Sequence, residues 1–586
     1  MKILDSINSP DDLKDLSLAQ MVELAHELRE GILNRVNKIG GHLGPDLGIV
    51  EATIALHYVF NSPEDKFVFD VSHQCYPHKM LTGRKEGFFN SEKFDEISGY
   101  FAPEESPHDP FMIGHTSTSV SLACGLAKAR DIEGEFYNVI ALLGDGSLSG
   151  GEALEGLNNS AVLNSNFIVI LNDNEMSIAP NQGGLYKNLE LLRSTNGEAQ
   201  NNMFKAIGFD YLYVEKGNDI KTLIEAFSKV KNIDHPIVVH IHTLKGKGYK
   251  KAEELKELNH WRLPHFIEQD IEQKEADFQE TYDTVTTDYI LRKKFNNEPV
   301  VAITPATPGI CGFNQKFRDE MGKNYVDVAI SEEHAVAFAS GLAKNGAKPI
   351  LAISSSFIQR TYDQLSQDLA LNNSPATILV YWGGISAMDA THLMVFDIPL
   401  VSNIPNIQYL APTNKEEYLA MLEYSYSQNA CPVAIRVPFG EFVSTGVKDE
   451  TDYSLKKAKV AKKGSSVAVL GVGNFFNLAS KTVEELKENY GIDATLINPC
   501  FVSSLDTELL EELKLSHKVV VTLEDGVLDG GFGEKVSRFY SNSNMMVLNY
   551  GAKKEFTNRA PVEELYKRYI LKKELIAKDV VELLKK

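Results

Sequence analysis

No apolar run in this chain of 586 residues approaches the roughly 20 needed to span a bilayer, so a membrane-spanning helix is not expected. The opening Met1-Lys2-Ile3-Leu4-Asp5 leads into Ser, Asn, Pro and Asp instead of the apolar core of a secretory signal. A cytoplasmic location is the expectation. Cysteine is sparse: Cys75, Cys124, Cys311, Cys431 and Cys500 lie far apart with no C-x-x-C pair, which excludes a disulfide framework and a structural zinc site. They are expected to be reduced and mostly buried. Positive charge is outweighed, 59 Lys and Arg against 80 Asp and Glu, for a formal net charge of −21. Nucleic acid is therefore excluded as a partner, because binding its backbone requires clustered cations. Short basic patches such as Lys245-Gly246-Lys247 with Lys250 and Lys251 are expected to be solvated for most of their charges, while leaving room for a small anionic ligand. A Gly-x-Gly-x-x-Gly turn opening a helix is also missing, which argues against a nicotinamide dehydrogenase.

What is present is a repeated alternation of short apolar runs with longer helical patterns. The runs include Asn138–Leu143, Phe167–Leu171, Pro236–Ile241, Pro299–Ile303, Pro349–Ile353, Ala376–Val380, Ser466–Leu470 and Lys518–Thr522. Strands apolar on both faces, separated by amphipathic helices, are the pattern of parallel sheets covered on both sides. The fold class is α/β, and the length suits several domains. Two polar, charged stretches, 250–285 and 446–463, read as helical or linker segments. They divide the chain into three doubly wound α/β domains with approximate limits 1–280, 281–450 and 460–586. No tandem repeat or low-complexity tract interrupts them.

Two of the predicted strands end in chemistry. The first closes on Leu143-Gly144-Asp145-Gly146-Ser147 and the next on Leu171-Asn172-Asp173-Asn174-Glu175. Ligands of open α/β sheets sit beyond the carboxyl ends of strands, so Asp145 and Asn174, 29 residues apart (174 − 145), are expected to converge. A carboxylate and an amide oxygen form a donor pair suited to Mg2+, and the flanking glycines let backbone amides approach a diphosphate. Gly-Asp-Gly alone is ordinarily a turn. With the Asn at the end of the adjacent apolar strand, the pair resembles the Gly-Asp-Gly and distal Asn pattern of the thiamine diphosphate enzymes.

Five further blocks sharpen this: Gly40-Gly41-His42-Leu43-Gly44, Val71–Lys79, Ile113-Gly114-His115-Thr116-Ser117-Thr118-Ser119, Asn172–Ile178, and Ile330-Ser331-Glu332-Glu333-His334-Ala335-Val336. In their order, and over nearly the whole chain, they resemble the 1-deoxy-D-xylulose-5-phosphate synthase family of the transketolase superfamily. The resemblance implies a diphosphate-binding domain, a pyrimidine-binding domain and a transketolase C-terminal domain, two chains pairing as a homodimer, and thiamine diphosphate with Mg2+ as cofactors. By that resemblance Asp145, Asn174 and the Met176 carbonyl hold the metal. Gly114, His115, Thr116, Gly146, Ser147 and Tyr249 line the cofactor, and His73 approaches the diphosphate or the reaction centre. Glu332 hydrogen-bonds the aminopyrimidine nitrogen and relays a proton. Phe357 stacks on that ring, with Arg360 beside it. His42, His73, His260 and His392 match family active-site histidines, and Arg436, Asp389 and His392 match substrate-binding positions. The implied reaction joins pyruvate, with loss of CO2, to the aldehyde glyceraldehyde 3-phosphate.

The acceptor side departs from the family pattern. Trp382 stands where an Arg that helps hold the acceptor phosphate is expected, Ser354 stands where a Tyr is expected, and the segment after Met176 is short. Two alternatives therefore stay open beside the synthase: a related or transketolase-type enzyme with a different acceptor, phosphorylated or not, and a noncatalytic homologue.

Overall fold

The computed structural model describes residues 2–272 and 279–585, which fall into two compact units. The first takes the described residues up to 272 together with Ala329–Ser331, and the second takes 279–328 and Glu332 onward. The charged stretch 250–285 lies partly outside the described residues. Among them, no helix is long and apolar enough to cross a membrane.

The first unit is built on a parallel sheet of five strands: β1 (Lys66–Phe69), β2 (Val139–Gly144), β3 (Phe167–Asp173), β4 (Asp210–Val214) and β5 (Pro236–His242), in the order β1-β2-β3-β5-β4. All seven residues of β3 are buried, as a central strand covered on both faces requires. One apolar cluster packs on each face, the larger including helix α1 (Leu18–Ile39) and the other helix α2 (Ser119–Glu133). The start of α1 is written locally. Ser17 Oγ accepts the Gln20 amide at 3.4 Å, while Gln20 Oε1 accepts the Ser17 amide at 3.0 Å, a capping box.

A buried charge network braces this unit. Arg84 grips Asp109 with two hydrogen bonds of 2.7 and 2.8 Å, His78 meets the same carboxylate at 2.9 Å, and His57 meets His78 at 2.9 Å. Burial would raise the Asp109 proton affinity, but Arg84 and His78 hold it well below the usual carboxylate range. The ion pair's contribution is therefore present above the unfolded carboxylate pKa and fades as the pH falls through acid values. Arg84→Ala leaves the buried Asp109 only His78 and the Ala102 amide, which donates to its Oδ2 at 3.0 Å, and is expected to cost about 3–5 kcal/mol. Urea unfolding of the variant against the parent chain checks this.

The second unit carries two sheets. One is parallel throughout, with β6 (Val300–Thr304), β7 (Tyr325–Asp327), β8 (Lys348–Ser354), β9 (Thr377–Tyr381), β10 (Gln408–Leu410) and β11 (Val433–Arg436) in the order β10-β11-β9-β8-β6-β7. The other contains β12 (Lys459–Lys462), β13 (Ser466–Gly471), β14 (Thr495–Asn498), β15 (His517–Val527) and β16 (Met546–Ala552), in the order β12-β14-β13-β15-β16, with only β12 antiparallel to its neighbour. A continuous apolar cluster joins the two, running from Ile353 and Val380 to Leu470 and Val520. All five cysteines are free, three of them buried.

Candidate functional site

In the first unit, β2 and β3 are neighbours in register, with Gly144 opposite Asn172, so their carboxyl ends deliver Asp145 and Asn174 to the same edge. Asp145 is buried, and its Oδ2 accepts the Met176 amide at 3.1 Å and Asn181 Nδ2 at 2.7 Å. Burial, reinforced by the nearby Asp173 charge, pushes the Asp145 carboxyl well above its ordinary pKa. Asp173 divides from it. Burial would raise Asp173 as well, but His240 and Arg193 hold it at about 2. The Oδ1 of Asn174 is buried with no hydrogen-bond partner. A buried oxygen of that kind is costly unless a ligand meets it.

The glycines around this edge are spatially required. A Cβ on Gly146 would lie 2.7 Å from the Ser177 Cβ, and one on Gly150 would lie 2.1 Å from Ser117 Oγ. Ser117 closes the loop that carries Gly114, His115 and Thr116. Its backbone sits at a φ of 73°, its amide donates to Asp70 Oδ1 at 2.7 Å, and its hydroxyl donates to the Ser147 carbonyl at 2.8 Å. The predicted cofactor-lining loop is thus docked on Ser147, and Asp70, at the carboxyl end of β1, is the anchor.

Three of the four predicted histidines meet in the same unit. Ring centroids lie 4.7 Å apart for His42 and His73, 5.4 Å for His42 and His260, and 5.5 Å for His73 and His260. A two-residue antiparallel ladder pairing His42 with Trp261 places His260 there, although its sequence context is the least family-like. Burial drives the imidazoles of His42 and His260 well below their ordinary pKa, so both are neutral at physiological pH. Lys245 departs from its expected solvated state. It is buried, donates to the Ser177 carbonyl, lies 3.0 Å from His260 Nδ1, and burial lowers its ammonium pKa to about 7. Tyr249 turns its hydroxyl to Asp270 at 3.0 Å.

In the second unit Glu332 opens a helix, Glu332–Lys344, and is buried. Its Oε2 has no hydrogen-bond partner, and the nearest cation, Arg360 Nη1, stands 3.8 Å away. Burial raises its pKa to about 7 against the opposing pull of Arg360. Phe357 and His392 stand edge to face at 5.9 Å, and the His392 amide donates to the Asp389 carbonyl at 2.9 Å. Arg436 is buried: Nε and Nη2 donate to Asp397 at 2.7 and 3.3 Å, and Nη1 donates to Asp525.

The family model described as 1-deoxy-D-xylulose-5-phosphate synthase matches residues 4–200 and 195–243, that of the transketolase pyrimidine binding domain matches 291–442, and that of the transketolase C-terminal domain matches 456–576. The 1-deoxy-D-xylulose-5-phosphate synthase of Carboxydothermus hydrogenoformans is 38% identical over 625 aligned residues, covering 100% of this chain and 99% of that protein. This chain belongs to the 1-deoxy-D-xylulose-5-phosphate synthase family. The synthase of Caldanaerobacter subterraneus subsp. tengcongensis is 37% identical, covering 99% of both chains. Among solved structures, the transketolase from Leishmania mexicana is similar at 16% identity, with 97% of this chain and 98% of that one covered and a TM-score of 0.43.

Membership of the 1-deoxy-D-xylulose-5-phosphate synthase family makes the chain a transketolase-type transferase that depends on thiamine diphosphate. The residues present suit that cofactor. Asn174 Oδ1 is a buried acceptor awaiting a partner, the Gly146 and Gly150 backbones leave no room for side chains, and Glu332 Oε2 is a buried acceptor of the kind a ring nitrogen can satisfy. Among the described residues no group of three or more His, Cys, Asp or Glu could hold a metal, so an ion bound here draws on amide and backbone oxygens as well. Sequence reasoning missed Lys245, Asn181 and Asp70. The first was readable only as a surface charge, and the other two sit in no pattern.

Proposed function

We propose that this chain decarboxylates pyruvate and joins the remaining two-carbon unit to glyceraldehyde 3-phosphate, giving 1-deoxy-D-xylulose 5-phosphate and CO2. Two whole-length relatives carry the name of that activity. The observation that carries the reading is Glu332, whose buried, unpartnered carboxyl oxygen has a proton affinity raised to about pH 7, the range in which a group both takes and gives a proton. Thiamine diphosphate, when bound, supplies the nucleophilic carbon and the electron sink for decarboxylation.

The chain's own residues do the rest. Asp145, Asn174 and the Met176 carbonyl would hold Mg2+ for the diphosphate, and the cation would offset the unfavourable burial of the Asp145 carboxylate. The loop from Gly114 to Thr116, with Gly146 and Ser147, offers backbone donors, and Tyr249 borders them. Glu332 moves a proton at the aminopyrimidine, Phe357 stacks on that ring and Arg360 tunes Glu332. His42, His73 and His260, two of them held neutral, donate to and accept from the reacting oxygens; His392 and Asp389 orient the acceptor. Two chains pair as a homodimer in the cytoplasm.

The test is product analysis. Purified chain with Mg2+ and thiamine diphosphate is offered carbon-13-labelled pyruvate, alone and with aldehydes, and products are read by NMR. Labelled 1-deoxyketose is expected. Tight cofactor binding without CO2 release from pyruvate, whichever aldehyde is offered, would instead establish a noncatalytic homologue.

A further inference from the structure

The acceptor end of this site can be read from the strand ends of the parallel sheet in the second unit. Ligands of such sheets lie beyond the carboxyl ends of the strands. The first three residues past β8 are Ser355, Ser356 and Phe357, past β9 they are Trp382, Gly383 and Gly384, and past β11 they are Val437, Pro438 and Phe439. None carries a charge. Ser354, the last residue of β8, is buried, while Phe439 is 38% exposed and Trp382 half-buried, so two aromatic side chains flank this end.

Two arginines lie near it. Arg360 faces Glu332 at 3.8 Å. Arg436, the last residue of β11, is locked. Asp397 and Asp525 both hold its guanidinium, Tyr409 donates its hydroxyl to Asp397, and Asn474 Nδ2 donates to Asp525 at 2.9 Å. The backbone after β9 lies directly over this group. A Cβ on Gly383 would stand 2.6 Å from Arg436 Nε, and one on Gly384 would stand 2.9 Å from Asp525 Oδ2. Trp382 precedes those glycines at a φ of 64°, a conformation bulky residues rarely adopt unless their surroundings impose it. One guanidinium against two carboxylates leaves the cluster formally negative, so it attracts no dianion.

We propose that the phosphate of the acceptor contributes little to binding in this chain, and that it uses short uncharged aldehydes about as well as their phosphorylated counterparts. This rests on the carboligase reading given above. The bond chemistry is the same with either acceptor: CO2 leaves pyruvate, a carbon–carbon bond forms to the aldehyde carbon, and the resulting alkoxide takes up a proton. What differs is that the nine residues past these strand ends carry no charge and the guanidinium at the end of β11 is already paired. A phosphate held by two charge-assisted hydrogen bonds, at roughly 1.5–3 kcal/mol each, would give the phosphorylated aldehyde an advantage of about a hundredfold or more.

The experiment uses the full chain loaded with Mg2+ and thiamine diphosphate. CO2 release from labelled pyruvate, with any aldehyde, tests the donor half separately; its absence defeats the carboligase reading and not merely the acceptor assignment. With the donor half working, kcat/KM is measured for D-glyceraldehyde 3-phosphate and for D-glyceraldehyde. The expected ratio lies within about tenfold, and a larger preference for the phosphorylated aldehyde overturns the proposal. Trp382→Arg places a cation at the end of β9 and is expected to raise that preference by about tenfold or more. A variant that binds cofactor normally and leaves the preference unchanged shows that the acceptor's phosphate position lies elsewhere, and overturns the assignment too.

Discussion

Glu332→Gln is expected to lower turnover by about 10²–10⁴-fold while making the folded chain more stable above neutral pH. The two effects have one cause. Burial raises the carboxyl to about 7, and Arg360, at 3.8 Å, with the backbone amide at the helix start offsets the charge only in part. An acid whose folded pKa exceeds its unfolded value is stabilising in its protonated form, so the fold bears no penalty below the unfolded pKa. The penalty grows as the pH rises through the interval and is complete above the folded pKa. Glutamine has the same shape and no proton to lose. The variant should gain up to roughly 3 kcal/mol near pH 8 and close to nothing near pH 4.5. CO2 release and thermal unfolding at the two pH values measure both halves. Full turnover in the variant would remove the proton-relay role, since an amide cannot perform it.

Asp145→Asn is expected to weaken cofactor binding about a hundredfold without unfolding the chain. The carboxylate is buried, its proton affinity is raised by burial and by Asp173, and its hydrogen bonds from Met176 and Asn181 can be accepted by an amide oxygen. The apo variant should therefore be at least as stable as the parent. The difference lies in linkage. With cofactor and Mg2+ at a hundredfold excess over Kd the parent gains about 2.7 kcal/mol, and at the same concentration a hundredfold weaker variant gains about 0.4 kcal/mol. Calorimetric titration gives the affinities directly, and equal affinities would show that Asp145 does not hold the metal.

The limits of sequence reading follow sheet position and strand length. All eight apolar runs recognised in the sequence are strands, and they fall in sheet interiors: β2, β3 and β5 in the first sheet, β6, β8 and β9 in the second, β13 and β15 in the third. The edge strands escaped notice. The edge strand β12, Lys459–Lys462, has no buried residue and carries no apolar signature, while β11 and β14, interior and fully buried, also passed unrecognised because four residues give too short a run. The pairing of Asp145 and Asn174 was legible because one strand end, its flanking glycines and a second strand end stand at a set spacing in the sequence. Lys245 was not legible. A lysine between glycines reads as solvent-exposed, and only its seat against Gly44, Ser177 and His260 shows that it is buried.

Arg436 shows the division most clearly. Its match to a family position marked it as a substrate-binding residue, and no local pattern indicated that Asp397 and Asp525, 39 residues before it and 89 after, would occupy its guanidinium. By itself the sequence determined the α/β class, the central strands and the meeting of Asp145 and Asn174 at the ends of β2 and β3, because strand burial and glycine backbone freedom act over a few residues. The tertiary structure alone decided which charges are free. Ion pairing and desolvation depend on groups that meet only when distant segments pack, and that is what withdrew Arg436 into the interior and left Glu332 and Asn174 with unsatisfied oxygens.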